Sequence, residues 1–156
     1  MGEFRIKTDY ERDMIEKNQE PLVALLRIAG KLEALLHMKL FYEKNNSLKD
    51  MKMWTLGTLI QKSKHILGDD YKSLFTFKEF RNFITHDLSR LAAFENSKVF
   101  DKPIQETKVI EILLAACDFI DRNKAVTRGM GVEKMIEYSK YLDSKAKEVE
   151  KIVNEF

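Results

Sequence analysis

PLVALLRIAGKLEALLHMKLFY, Pro21 to Tyr42, decides the fold. Its apolar residues Leu22, Leu25, Leu26, Ala29, Leu32, Leu36 and Leu40 recur at helical spacing. They fall on one broad helical face. Upstream, Thr8-Asp-Tyr-Glu11 reads as a capping box that opens a helix, with a break near Pro21. Downstream, Asn45-Asn46-Ser47 ends the long helix, and Ser47-x-x-Asp50 reads as a second box. The helix it starts is expected to run through MWTLGTLIQKSKHIL and stop at Gly68. A short segment, DDYKSLF, precedes a third box, Thr76-x-x-Glu79.

Helical periodicity continues to the end of the chain. The pattern fades between Asn96 and Lys102, Pro103 suits a first helical turn, and IQETKVIEILLAACDFIDRN is strongly apolar. Arg128-Gly-Met-Gly131 reads as a break before a last helix from Val132 to Phe156. Neither a convincing strand nor an internal repeat is visible. The expectation is an all-α, up-and-down four-helix bundle over 1–128, with a C-terminal helical extension over 129–156.

The composition agrees. The chain has 156 residues, 44% hydrophobic and 33% charged, with only two prolines and six glycines, which favours long helices over many short strands. A net charge of +2 gives no strong global pull toward nucleic acid or anionic membrane, while leaving room for a local basic patch. One cysteine, Cys117, sits in an apolar run, so no disulfide framework or multi-cysteine zinc site can form within one chain. With no membrane-length apolar run and no signal peptide, a reducing cytoplasm is expected.

FKEFRNFITHDLSRL, Phe77 to Leu91, carries the chemistry. On one continuous helix, Phe80, Phe83, Ile84, Leu88 and Leu91 form an apolar stripe. Asn82 and His86 share another face, which Lys78 continues one turn earlier. Arg81 lies about 140° from His86 around the axis, so the two need a long reach or a second copy to act together. An arginine can hold two phosphate oxygens, and a histidine near neutral pKa can move a proton to or from a ribose oxygen. An asparagine can orient either group. Such residues also decorate the solvent faces of ordinary bundle helices. Asp87 places a carboxylate beside the histidine, either to raise its pKa or to face solvent.

Other features compete for attention. His37 and His65 fall on different helices, without metal-ligand spacing. Glu33 and Lys39 could border a cleft and contact RNA, or be plain surface. Lys49, Lys52, Lys62 and Lys64 with Trp54 could form a basic patch with a stacking aromatic, although Trp54 also suits the core. Gly129-Met-Gly131 reads as a hinge rather than a phosphate cradle. Val132, Met135, Ser139, Leu142, Ala146, Val149, Val153 and Phe156 form a heptad seam that could pack back on the bundle, zip with a second copy, or dock a partner.

The stretch LGTLIQKSKHILGDDYKSLFTFKEFRNFITHD resembles the HEPN domain. That family is marked by an arginine, four to six residues and a histidine, often with a polar residue after the arginine. Arg81, Asn82 and His86 match, the Gly57 to Ile60 element and aromatic approach match the lead-in, and KLEALLHMKLFY fits the first helix. The resemblance covers roughly Pro21 to Asn123. It implies a bundle that dimerises along the motif helices and, in many relatives, metal-independent RNA cleavage in toxin–antitoxin, defence or RNA-processing systems. The products there are a 2′,3′-cyclic phosphate and a 5′-hydroxyl.

By position, Arg81 would bind the scissile phosphate, His86 would be the acid–base residue and Asn82 would orient. Lys78, Asp87, Glu33 and Lys39 are the accompanying RNA-binding candidates, and no cofactor is expected. RNA, a second copy, and an antitoxin or other regulatory protein are the expected partners. One toxin branch carries a tyrosine two residues after the histidine, where its antitoxin attaches nucleotide; Leu88 stands there in this chain. Other relatives are non-catalytic modules that bind nucleotide, RNA or protein, and that reading is carried beside the first.

Overall fold

The computed structural model describes residues 3–4, 6–101, 108–123, 125–126 and 131–155, with side chains for 6–101, 108–123 and 131–155. The expectations at Pro103 and Arg128–Met130, and the Phe156 end of the seam, lie outside the described residues. The fold is an all-α bundle. Its helices are α1 (Asp9–Glu16), α2 (Pro21–Glu43), α3 (Leu48–Met51), α4 (Leu56–Lys62), α5 (Lys64–Leu67), α6 (Asp70–Thr85), α7 (Leu88–Glu95), α8 (Lys108–Arg122) and α9 (Val132–Glu155). A 3-10 turn spans Val99–Asp101. The sequence reading saw no strand, but a short antiparallel pair joins Glu3–Phe4 to Ala125–Val126.

Helix α2 is the axis of the bundle and packs against α1, α4, α6, α7 and α8. That explains why its buried set exceeds one face: Ala24, Ile28, Leu35, Met38 and Phe41 are buried beside Leu22, Leu25, Ala29, Leu32, Leu36 and Leu40, while Leu26 is exposed. Pro21 opens it at a position where a missing N–H goes unnoticed. The turn before it passes through left-handed backbone at Asn18 and Glu20. From α6, Leu74 and Phe77 enter the core, and from α8 Leu113, Cys117 and Ile120 do the same. Burial pushes the Cys117 thiol up to about 11, so it acts as a small hydrophobe.

Only one of the three capping boxes acts as a cap. Ser47 Oγ accepts from Asp50 N at 3.1 Å, as a cap should. Thr8 instead donates its hydroxyl to Asp121 Oδ2 of α8 at 2.8 Å. Glu11 is fully buried and takes Arg27 Nε at 2.8 Å and Lys31 Nζ at 2.6 Å from α2. The residues that looked like a local cap therefore tie α1 to two other helices. Thr76 lies inside α6, where its hydroxyl donates to Lys72 O at 2.9 Å. That helix starts at Asp70, because Gly68, at φ +54 and ψ −124, ends the previous one. The helix expected between Ser47 and Gly68 is broken into α3, α4 and α5, with Thr55 capping α4.

Candidate functional site

The motif sits at a break, not inside a helix. Helix α6 ends at Thr85, His86 is its C-terminal cap, and Asp87 starts α7. The Asp87 carboxylate accepts from Ser89 N at 2.8 Å and Arg90 N at 3.2 Å. It is thus the N-cap of α7, with its side chain still 43% exposed. The break also undoes the expected apolar stripe. Ile84 is buried, while Phe83 is 55% and Leu88 83% exposed.

The three motif residues separate into two groups. Asn82 and His86 remain one turn apart, with His86 N donating to Asn82 O at 3.0 Å. His86 is exposed, and its side chain makes no hydrogen bond or ion pair among the described residues. Arg81 turns toward α2. Its Nη2 is 3.8 Å from Glu33 Oε1, too long for a hydrogen bond, and its Nε is buried without a partner. No hydrogen bond or ion pair joins Arg81 to His86 among the described residues.

The accompanying candidates do not converge on one point. The Lys78 stem crosses α4 at Gly57, where an added Cβ would meet Lys78 Cδ at 3.7 Å. Its Nζ pairs with Glu79 at 3.0 Å and lies 4.1 Å from the Phe75 ring centre. Glu33 reaches Arg81. Lys39 pairs with Glu43 at 3.2 Å instead, about 240° around α2 from Glu33. Arg90 was not among the sequence candidates. Its guanidinium lies 4.0 Å from the Phe83 ring centre, and its Nη1 donates to Phe83 O at 3.1 Å. It covers a carbonyl in the last turn of α6, and its Nε lies 3.8 Å from Asp87 Oδ2. An arginine four residues after the histidine was the available signal.

Glu33 also borders a cavity of about 330 Å³. Glu33 and His37 line it from α2, Lys52 and Trp54 from the α3–α4 connection, and Tyr141 and Lys145 from α9. His37 Nδ1 lies 3.0 Å from the Tyr138 hydroxyl, its ring stacks on Tyr141 at 5.2 Å, and its Nε2 is buried without a partner. Burial, helped by the charge of Lys145, lowers the His37 pKa and keeps the ring neutral. Trp54 is half-buried at this rim, with Lys62 Nζ 5.6 Å from its ring centre. His65 is exposed on α5, and no cluster of metal-ligand side chains occurs among the described residues. No helix there is long and apolar enough to cross a membrane.

Set against protein-family models, curated proteins and solved structures, the chain gives no match.

Proposed function

We propose that this protein is a metal-independent endoribonuclease of toxin or defence type, working in the cytoplasm as a homodimer. In this reading Arg81 of one copy holds the scissile phosphate, while Asn82 and His86 come from the other. The 2′ oxygen of the ribose attacks phosphorus, the bond to the 5′ oxygen breaks, and His86 carries the proton from the first oxygen to the second. The products are a 2′,3′-cyclic phosphate and a 5′-hydroxyl.

One observation carries the reading. The exposed His86, with no hydrogen bond or ion pair among the described residues, lies at a helix break between the exposed apolar residues Phe83 and Leu88, while Arg81 reaches toward Glu33. An apolar rim around a free histidine suits a face that meets a second copy. Arg90 adds a second cation there for the RNA backbone.

The test is complementation in EDTA. Arg81→Ala and His86→Ala are each expected to lower cleavage by about 10²-fold or more. Co-refolded in equal amounts, half of the dimers are mixed and each has one intact composite site of two. Activity should then return to about a quarter of wild type. Silence of the mixture, with both variants folded and dimeric, refutes a shared site. The alternative is a non-catalytic module that binds nucleotide, RNA or protein. It draws on Glu33, whose carboxylate stands where a phosphate would approach Arg81. RNA binding without cleavage by wild type would select it.

A further inference from the structure

The apolar side of α9 runs past the bundle that should cover it. Over its first half the helix is docked. Lys134 Nζ donates to Phe41 O at 2.7 Å, Tyr138 is buried, and Tyr141 stacks on His37. From Ala146 onward every described residue is exposed. Leu142, Val149, Ile152 and Val153 are 50%, 60%, 49% and 64% exposed. The stretch from Ala146 to Glu155, about 15 Å of helix, therefore leaves the bundle with an uncovered apolar stripe.

The spacing of that stripe matches a coiled-coil seam. Leu142 and Val149 take one core position of successive heptads, and Ala146 and Val153 the other. The flanking positions then hold Lys145 and Ile152 on one side, Asp143 and Glu150 on the other. Charge decides the partner and its direction. In a parallel pair, Lys145 of each helix faces Glu150 of the other, twice by symmetry. In an antiparallel pair, Asp143 and Glu150 face the same two acids across the seam. Lys145, whose side chain is 45% exposed, meets Glu148 at 3.4 Å and the Tyr141 ring at 5.8 Å within its own helix, both long contacts that an opposing carboxylate can replace.

We infer that the free half of α9 is a dimer stem, which pairs in parallel and in register with α9 of a second copy of this chain. Small Ala146 lets the helices approach, and the bundles fork apart where Tyr141 turns back to His37. The inference does not rest on RNA cleavage and concerns a surface apart from the RNFITH break.

The experiment combines cross-linking with charge exchange in the full chain. Val149→Cys places two thiols across the seam in a parallel in-register pair. Mild oxidation should give a disulfide-linked dimer, with Cys117 buried and silent. Lys145→Glu and Glu150→Lys should each weaken the dimer, read by light scattering, by about tenfold, because two attractive pairs become repulsive. The double exchange should restore it to within a few fold.

A monomer at about 100 µM would overturn the inference. So would a dimer that leaves the introduced thiols unlinked, as expected if α9 lies antiparallel or on another bundle. Failure of the double exchange to rescue either single change would also overturn it. Val149→Cys carrying His86→Ala should cross-link equally well, which separates this result from the fate of the nuclease reading.

Discussion

Glu11 offers the sharpest test of how the bundle is held. Its carboxylate is fully buried and bonded by Arg27 and Lys31, which are 46% and 28% exposed in their side chains. Glu11→Ala deletes the shared anion and leaves two cations facing an apolar gap. Removal of one partner from a buried ion pair costs about 3–5 kcal/mol. Both cations here can turn toward water, so the lower end, about 3 kcal/mol, applies. For a chain of this size that corresponds to a fall in Tm of roughly 6–12 °C. Glu11→Gln keeps the shape and one acceptor and should fall about half as far.

The pH dependence carries a matching signature. Burial alone would raise the Glu11 carboxyl, but hydrogen bonds from Lys31 and Arg27 outweigh it and hold the pKa below 4.5. The unfolded chain therefore takes up the proton first, and wild type loses this stability as pH falls below about 4.5. The variant has nothing to lose there, so the gap between the two should narrow in acid. Circular dichroism melts of wild type, Glu11→Ala and Glu11→Gln at pH 7 and pH 4 measure both effects. If Glu11→Ala melts within 2 °C or so of wild type at pH 7, the assignment of α1 docking to this buried pair is wrong.

Four further outcomes are expected. Asp87→Ala should destabilise by about 1 kcal/mol through the lost α7 cap, and Asp87→Ser should recover most of it in urea titrations. Were Asp87 to act through RNA contact alone, melting would be unchanged and only activity would move. Gly68→Ala should cost about 1–3 kcal/mol although nothing crowds the site, because φ +54 with ψ −124 strains any side chain; equal stability would contradict that. Tyr138→Phe removes the hydroxyl at His37 Nδ1 and should cost about 1–3 kcal/mol, measurable as a lower urea midpoint. His37 is held neutral with a lowered pKa, so wild-type stability should begin to fall as pH drops below 6.5, where the unfolded chain is protonated first. His37→Gln should flatten that part of the profile.

The sequence by itself determined the helical class, because three-and-four spacing over Pro21 to Tyr42 allows a broad apolar face in a helix and none in a strand. It also determined the stops at Pro21 and Gly68, where backbone chemistry acts locally. The angular separation of Arg81 from His86 follows from helix geometry alone. Tertiary structure decided what local rules leave open. Thr8 and Glu11 have capping chemistry, yet Asp121, Arg27 and Lys31 offered them better partners from distant helices. Thr76 stayed inside α6 because that helix begins earlier, at the turn Gly68 creates.

The apolar stripe at the motif was misjudged because Asp87 caps a new helix, and one break redirects every residue beyond it. On α9 the regular seam left open whether it packs back on the bundle, zips with a second copy or docks a partner. The bundle took Lys134, Tyr138 and Tyr141: the lysine donates to the last-turn carbonyl of Phe41 and the two aromatics pack against His37, while Val132 and Ser139 stay exposed. Which atoms a side chain meets depends on residues far away in the chain, and spacing within one helix carries no record of them.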